Sequence, residues 1–463
     1  MEAAENNLPA LSAESACPGC VARDRKIADL EARLAKLEGL VRGGKRQAAP
    51  FSKGPPKADP KRPGRKAGDD YGTHHRRAAP PRIDETHEAP LPPVCLACGG
   101  VIDPIGVVQQ YQTEIPRVVI HRQFNVHLGQ CACCRKRVQG RHPLQTSDAL
   151  GAAANQVGPD AQALAVLLNK DAGLSHGKVQ SFFKSAFELT IGRSTSCRVM
   201  LRAAERCRQV HQVIVRRVRS SPTLVPDETG WRIAGLLAWL HVAVGVDATA
   251  YLIDRRRGYE ASAKLIGEDY AGIMTHDGWK PYDRFAKAVH QTCIGHLLRR
   301  CHELIAGGSR GAIVFPQQIK AVLKEGLAIR DRRDAGTLTP AAVADEALRL
   351  SAHMDDLLCR RRGNVENRRL SDHLWRNRDH LFTFLTEPGI DATNYRAEQA
   401  IRPAVVNRKV FGGNRTEAGA EAQSILMSVL VTARQTGVAA LNFLARTFRS
   451  IPTARPVLFA DTG

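Results

Sequence analysis

The sequence predicts an α/β protein, and two observations carry this prediction: the order of its strand-like and helical segments, and a polar helical stretch that interrupts that order. Within residues 222–306, three adjacent strand-like segments are followed by a helix, a strand, a helix, a strand and a helix. This is the element order of a ribonuclease H-like core. Residues 307–390 read as almost entirely helical and polar, and further helices follow over residues 391–448. We therefore predict a ribonuclease H-like core that carries a helical insertion.

The individual elements follow from the spacing of apolar residues. The first core strand is predicted to end at Asp227. The later predicted strands are Leu236–Val244, Thr249–Ile253, Gly272–Thr275 and Val289–Ile294. The predicted helices are Ala261–Ile266, His296–Ile305, Asn394–Ile401 and Ala420–Thr436, with a basic turn between the last two. The core domain is thus placed at residues 216–420, with its insertion at about 307–390, and a helical tail at 421–463.

The composition predicts a negatively charged partner. Among 463 residues, 67 Lys and Arg outnumber 46 Asp and Glu, which gives a net charge of +21. Such a surplus attracts polyanions, because each neutralised phosphate releases condensed counterions. DNA is the expected partner, and a merely basic protein is the alternative. A hydrophobic content of 43% is sufficient for real cores in two to four units.

The twelve cysteines are predicted to be reduced. The N-terminus from Met1 to Glu5 is acidic and has no apolar secretory core, and no run approaches 18 apolar residues. We therefore expect a cytoplasmic protein without a membrane partner. In a reducing cytoplasm, paired cysteines are more often metal ligands than cross-links.

The N-terminal residues 1–43 combine a C-x-x-C pair with a short helix. Cys17 and Cys20 form the pair, and two ligands alone cannot complete a tetrahedral zinc site. Apolar residues at alternating three- and four-residue spacing then predict a coiled coil, or an amphipathic helix packed on its own protein: Ile27, Leu30, Leu34, Leu37 and Val41. Residues 44–93 are basic and rich in proline, which predicts a linker.

Residues 94–145 are predicted to be a zinc ribbon. Two C-x-x-C pairs, Cys95 with Cys98 and Cys131 with Cys134, are separated by 32 residues. Those residues include two β-rich runs, Val107–Ile115 and Val118–Leu128. Four thiolates suit a structural Zn²⁺, since a two-residue gap lets both sulfurs of a pair face one ion. Cys133 lies inside the second pair and is an alternative ligand.

Residues 146–215 are predicted to be helical. Ala161–Leu168, Val179–Phe187 and Cys197–Cys207 have helical patterns, and Ser194 and Thr195 are the expected caps of the last helix. Two helices joined by a glycine-containing turn suggest a helix-turn-helix for DNA binding. A plain helical connector is the alternative.

Three acidic residues are the candidate catalytic groups. Asp227 and Asp277 each follow a predicted strand, and a Gly-Trp pair stands shortly after each. With Glu398 from a helix, they could hold two Mg²⁺ (or Mn²⁺) ions about 3.5–4 Å apart for phosphodiester chemistry. Pro226 is unexpected beside Asp227, because proline cannot donate to a central strand's ladder.

Glu398 lies on a helix followed by basic residues. Asn394, Glu398 and Ile401 or Arg402 share one helix face. Arg402, Arg408 and Lys409 are predicted to contact DNA phosphates. The alternative is a helix whose Glu and Arg side chains simply pair in solvent.

These motifs, in this order, resemble the transposases of the insertion sequence 66 family over nearly the full length. The matching segments are Asp227-Glu228-Thr229, Asp277-Gly278, Cys293-x-x-His296 with Arg299-Arg300, Asn394 to Pro403 with Arg408-Lys409, and the tail at 424–443. The resemblance implies a DDE-type core with Asp227, Asp277 and Glu398 as the triad, and divalent-metal strand transfer at terminal inverted repeats. It also implies that accessory proteins of the same element take part.

Two other functions were weighed against a transposase. A structure-specific nuclease of the same fold would cut DNA without joining ends, and a zinc-containing DNA-binding regulator would need none of the three acids. Because a transposase must bring two DNA ends together, we expect a homo-oligomer in a synaptic complex that also binds target DNA. A cluster at residues 290–302 that includes Cys293 and His296 is interpreted as packing or active-site support rather than a second zinc site.

Overall fold

The computed structural model describes residues 26–31, 34, 79–116, 118–151, 156–309, 311–387, 389–450 and 458–459. The chain divides into two units, residues 1–114 and 115–463, and each is considered by itself. In the first unit, residues 26–31 and 34 are helical and exposed. The predicted coiled-coil positions Leu37 and Val41 and the Cys17–Cys20 pair lie outside the described residues.

The central element of the second unit is a mixed sheet of five strands in the order β5-β4-β3-β6-β7. The strands are β3 (Thr223–Ile233), β4 (Leu236–Val244), β5 (Thr249–Asp254), β6 (Ile273–His276) and β7 (Val289–Thr292). β5, β4 and β3 are antiparallel, whereas β3, β6 and β7 are parallel. A separate small ribbon pairs β1 (Leu128–Gln130) with β2 (Arg137–Gln139). The predicted α/β class is confirmed.

Twelve α-helices accompany the sheet in the described part of this unit. Before the sheet stand α1 (Pro159–Val166), which continues as a π-helical turn at Leu167–Asp171, α2 (His176–Phe187) and α3 (Arg193–Arg219). Within and after it stand α4 (Tyr259–Ile266), α5 (Ile294–Gly307), α6 (Val314–Asp334), α7 (Pro340–Cys359), α8 (Val365–Arg376), α9 (Thr383–Thr386), α10 (Tyr395–Phe411), α11 (Glu417–Gln435) and α12 (Ala440–Arg449). Short 3₁₀ turns lie at Lys280–Arg284 and Arg378–His380.

Three buried clusters hold these elements together. The first cluster packs one face of the sheet, including Leu224 and Met274, against α1–α3, α11 and α12. The second cluster unites α5 with the inserted helices α6–α9. The third cluster packs the opposite face of the sheet, including Val225, against Ala397 and Ile401 of α10. Because the helices before the sheet share the first cluster with it, they form part of the same core.

The outer edge of the sheet is closed by hydroxyl groups of α11. The backbone N–H groups of alternate β5 residues donate to side-chain oxygens spaced four residues apart on the helix: Thr249 to Thr432 (3.1 Å), Tyr251 to Ser428 (2.8 Å) and Ile253 to Ser424 (3.0 Å). Four helical residues rise by about 6 Å and two strand residues by about 6.6 Å, so the two spacings stay in step. The helix therefore satisfies donors that an edge strand would otherwise expose.

Several element predictions were wrong in their bounds. The first core strand continues through Asp227 to Ile233, because the chain past Asp227 pairs with β4 as a hairpin. The predicted basic turn after Ile401 is helical, since α10 runs through Pro403 to Phe411. Burial of Ala397, Ile401 and Ala404 against the sheet explains why the helix tolerates its proline.

Two further local predictions were also wrong. The β-rich runs of the cysteine module form no strand except at Leu128, and Val107 and Val108 are each 93% exposed, so they have no surface to pack against. Ser194 and Thr195 do not cap α3. They lie inside its first turn, and Gly192 occupies the cap position without a side-chain hydrogen bond.

No helix in the described ranges combines the length and the apolar character that crossing a bilayer requires.

Candidate active site

Asp227 and Asp277 occupy matched positions on two neighbouring parallel strands. The ladder between β3 and β6 has only two pairs, Thr223–Ile273 and Leu224–Met274. Each aspartate follows three residues after the second pair, Asp227 within β3 and Asp277 just past the end of β6. The two carboxylates therefore flank the place where these strands separate, which we call the fork. Pro226 lies beyond the last β3–β6 pair, so its missing N–H breaks no bond of that ladder.

The helix α10 brings Glu398 to the same face of the sheet as Asp227. Side chains alternate along a strand, so Asp227 shares the face of Val225, which α10 covers. Two bonds fix the helix there: the Tyr251 hydroxyl donates to the Ala400 carbonyl at 2.8 Å, and the Asn394 N–H donates to Cys293 Sγ at 3.3 Å. These contacts hold α10, and with it Glu398, against the face of the sheet that carries Asp227.

Two residues of the C-x-x-H segment support this arrangement. Cys293 is buried and accepts the Asn394 bond, while Nε2 of His296 lies 3.5 Å from Oε1 of Glu398. Nη2 of Arg299 lies 4.0 Å from the same oxygen. Both α5 side chains therefore face the helix that carries the acid.

The charges of the other two candidate acids act on Asp227. Burial raises the pKa of Asp227 to about 7, and the negative charges of Glu228, Asp277 and Glu398 add to this, although the Glu228 N–H lowers it. Each aspartate has one hydrogen bond from the backbone, Asp227 Oδ1 from Glu228 N at 2.8 Å and Asp277 Oδ1 from Trp279 N at 2.9 Å. Among the residues that the structure describes, no three metal-ligating side chains are gathered closely enough to hold an ion.

Sequence reasoning did not assign a role to Glu228, which points to the opposite face of β3. Its side chain is only 4% exposed, pairs with Arg257 at 2.9 Å and accepts a 2.9 Å hydrogen bond from the Tyr282 hydroxyl. Burial raises the pKa of Glu228, while Arg257 and Tyr282 lower it. The only sequence signal for this site is the alternation of faces along β3, which sets Glu228 apart from Asp227.

The family comparison covers this whole region. The model of the transposase IS66 family matches residues 155–422, which is more than half of the chain and includes Asp227, Asp277 and Glu398. The chain belongs to the IS66 transposase family. The predicted resemblance is thereby confirmed, and the matched region leaves out the cysteine module.

A curated relative of this IS66 family member is the uncharacterized protein y4qI of Sinorhizobium fredii (strain NBRC 101917 / NGR234). The two are 26% identical over 258 residues, which are 51% of this chain and 47% of y4qI. The chain thus spans about half the length of that relative.

The three residues of this IS66 family member that are predicted to contact phosphate all lie on α10, but they differ in exposure. Arg402 is exposed and Lys409 is half-buried. Arg408 is also half-buried, its Nη1 donates to the carbonyl oxygen of Gly230, and burial together with the nearby Arg232 lowers its pKa. Arg402 is therefore the most accessible of the three cations.

The two C-x-x-C pairs of this transposase family member have the same local backbone geometry, one pair in each unit. In the first, Cys95 N–H donates to the Gly100 carbonyl and Gly99 N–H to the Cys95 carbonyl; in the second, Cys131 and Arg135 donate in the same way to Lys136 and Cys131. Gly99 and Arg135, at equivalent positions, both have positive φ, +72° and +59°. Each pair is therefore a tight turn that directs N–H groups at its first sulfur.

These N–H groups favour the thiolate form that zinc requires. Hydrogen bonds from the backbone of Ala97 and Cys98 and from the Cys98 side chain lower the pKa of Cys95. Those from the backbone of Cys134 and Cys133 and from the Cys134 side chain lower the pKa of Cys131. Since Cys134 takes the role that Cys98 has in the first pair, the geometry favours Cys134 over Cys133 as the second ligand.

Proposed function

We propose that this chain is a DDE-type transposase that cuts DNA at terminal inverted repeats and joins the ends to target DNA. The observation that carries the proposal is the matched placement of Asp227 and Asp277 at the fork, with Glu398 above it. The strand order β5-β4-β3-β6-β7 supports a ribonuclease H-like core at residues 216–420, with α6–α9 as its insertion.

The residues at the fork suit divalent cations, Mg²⁺ or Mn²⁺. Asp227 has a raised pKa because its charge is buried beside other carboxylates, and a bound cation would relieve that repulsion. Asp227, Asp277 and Glu398 would supply hard oxygen ligands, and a bound ion would have to draw the three carboxylates closer together than they lie in the structure described here. A pair of such ions, when bound, activates the attacking water or 3′-hydroxyl and stabilises the leaving oxygen. The protein's own contribution is to carry Asp227 within β3, Asp277 just past β6 and Glu398 on α10, with His296 Nε2 3.5 Å from the Glu398 carboxylate.

A strand-transfer assay tests this function. The full chain would be incubated with Mg²⁺ or Mn²⁺, a plasmid carrying the DNA that flanks its gene, and a target plasmid. Asp227→Asn, Asp277→Asn and Glu398→Gln should each reduce joined products by at least about a hundredfold, since each removes a ligand needed in the transition state. Asp254→Asn is the matched control, because Asp254 lies on β5 and its carboxylate pairs with Lys264 of α4.

The outcomes separate the alternatives. Cleavage without joining would identify a nuclease, and DNA binding unaffected by loss of all three acids, without any cleavage, would identify a regulator. Synapsis predicts at least a dimer on paired ends, and addition of proteins encoded beside the chain tests the need for accessory partners.

We further propose that Cys95, Cys98, Cys131 and Cys134 hold one structural Zn²⁺ that organises a module for DNA-end binding. Cys134→Ser should lower the zinc content measured by elemental analysis and weaken end binding, while leaving the core folded. Cys133→Ser is the matched control, since it changes a neighbouring exposed thiol. Equal zinc loss in both variants would contradict the assignment.

A further inference from the structure

Arg257, near the fork, makes cation–π contacts with two indole rings. Its guanidinium carbon lies 4.6 Å from the ring centroid of Trp239 and 4.6 Å from that of Trp279. Its Nε and Nη2 donate to one oxygen of Glu228 at 3.1 Å and 2.9 Å. The guanidinium thus makes two cation–π contacts and one ion pair. The side chain is nevertheless 45% exposed.

Two of the three partners of Arg257, Glu228 and Trp279, donate backbone hydrogen bonds to the candidate aspartates. Glu228 follows Asp227 in β3, and its N–H donates to Asp227 Oδ1 at 2.8 Å. Trp279 follows Asp277 by two residues, and its N–H donates to Asp277 Oδ1 at 2.9 Å. The position of the cation is therefore fixed relative to both aspartates, although it lies on the opposite face of β3 from Asp227.

If Arg257 only neutralised the charge of Glu228, it would not need contacts with two indole rings. One flexible cation would neutralise the carboxylate, whereas here two indoles and two hydrogen bonds to one Glu228 oxygen restrain an arginine whose side chain is still 45% exposed. A guanidinium fixed in this way can add a planar two-point contact to a phosphate without losing much further conformational freedom.

We propose that Arg257 is a phosphate-binding residue that contacts the DNA backbone next to the cleavage position, with Glu228, Trp239 and Trp279 as its positioning residues. This inference rests on the proposed function, and it assigns to the fork a DNA contact that lies outside the acid triad and outside α10.

The test compares Glu228→Gln with the double variant Glu228→Gln/Arg257→Ala. Arg257→Ala alone would leave a buried, unpaired charge at Glu228 and could unfold the protein. Glu228→Gln and the double variant both lack the Glu228 charge, and they differ only in the Arg257 cation. Arg284→Ala is the control, because Arg284 is likewise stacked on an aromatic ring (Tyr259, 3.9 Å) and paired with a glutamate (Glu260, 2.8 Å).

Binding to duplex DNA from the gene's flanks would be measured over a range of salt concentrations. Removing one phosphate contact should weaken binding about tenfold at low salt and reduce the slope of log K against log salt by about 0.9. A methylphosphonate scan should find one position near the cleavage site that weakens binding by Glu228→Gln but leaves the double variant unaffected. Arg284→Ala should match the wild type.

The results distinguish this inference from the proposed function. If Asp227→Asn joins DNA as well as the wild type, the proposed function fails. If Asp227→Asn is inactive but the two Glu228 variants share affinity and salt slope, only the phosphate-binding role of Arg257 is lost, and the arginine is a structural counterion.

Discussion

Polar groups have opposite surroundings in two regions of the sheet. One is the covered edge, where α11 lies along β5, and the other is the fork between β3 and β6. At the covered edge, the N–H groups of alternate β5 residues donate to hydroxyls of α11. At the fork, the ladder stops after two pairs, and the carboxylates of Asp277 and Glu398 lie within electrostatic reach of Asp227. The edge contributes stability, whereas the fork costs stability and keeps groups available for a ligand.

The carboxylates of the two regions show the same contrast. At the covered edge, Asp254 accepts bonds from Lys264 at 2.6 Å and from the Arg256 N–H at 2.8 Å. Burial alone would raise the pKa of Asp254, but these partners outweigh it, so the pKa is lowered. Asp227 has a single backbone donor and acidic neighbours, and its pKa is raised to about 7. The two aspartates should therefore affect stability with opposite signs.

The largest expected change in the free energy of unfolding comes from substituting Asp227. Its folded pKa is above the ordinary value of 3.8, so its contribution to stability is complete below about pH 4 and is lost as the pH rises through 7. Without divalent metal, Asp227→Asn should remove this dependence and raise the free energy of unfolding at pH 8 by about 2–4 kcal/mol. Urea denaturation at pH 5 and pH 8 measures the change.

Asp254→Asn is the counterpart at the covered edge. Because the pKa of Asp254 is lowered, its stabilising contribution is present above the ordinary value and is lost as the pH falls through the folded pKa. This variant should therefore be less stable at pH 8. If both variants shift stability in the same direction, the contrast between fork and edge is wrong.

Metal binding at the fork should depend on pH for the same reason. Asp227 must be ionised to act as a ligand, so the affinity for Mn²⁺ should rise about tenfold per pH unit below 7 and level off above it. Titration calorimetry between pH 5.5 and 8.5 measures the Mn²⁺ affinity at each pH. A flat profile in the wild-type chain would remove Asp227 from the ligand set.

A smaller effect is expected at the covered edge from Ser428→Ala. Ser428 is fully buried, and its loss would leave the N–H of Tyr251 without its 2.8 Å acceptor. An unsatisfied buried donor costs about 1–3 kcal/mol. Chemical denaturation would measure the loss, and hydrogen exchange should show faster exchange at Tyr251.

Ser181→Ala provides the matched control. The Ser181 hydroxyl also donates to a carbonyl four residues earlier, Gly177 at 3.2 Å, but it lies on an exposed helix face and receives no strand donor. Its loss should change stability by less than about 0.5 kcal/mol. Equal losses in the two serine variants would show that α11 does not stabilise β5 through its hydroxyls.

The sequence predicts those features of the fork and its strands that depend on the local pattern of apolar residues. Leu236–Val244 was found as a strand with its observed bounds, and Asp277 does follow a strand. Asp227 was misplaced at a strand end because the continuation of β3 depends on pairing with β4. The pairing of Glu228 with Arg257 joins residues 29 apart, and no periodic pattern indicates such a contact.

The same limit applies to the covered edge. Serine and threonine within α11 look unfavourable for a helix in isolation, since their hydroxyls compete for backbone groups. Their spacing gains meaning only once β5 is known to lie alongside. For the three acids, the sequence identified residues that the fold brings to one region, and their catalytic role stays a prediction.

The smallest effect should come from the surface of the same helix. Arg208 of α3 forms exposed ion pairs with Glu205 and with Glu421 of α11, and both glutamates raise its pKa. Exposed pairs of this kind contribute about 0–1 kcal/mol, because solvent screens them and the long side chains lose freedom. Glu421→Gln should therefore lower stability far less than Ser428→Ala, and added salt should reduce the difference further. If Glu421→Gln were the more damaging of the two, ion pairs rather than buried hydroxyls would hold α11 in place, and the explanation of the covered edge would have to change.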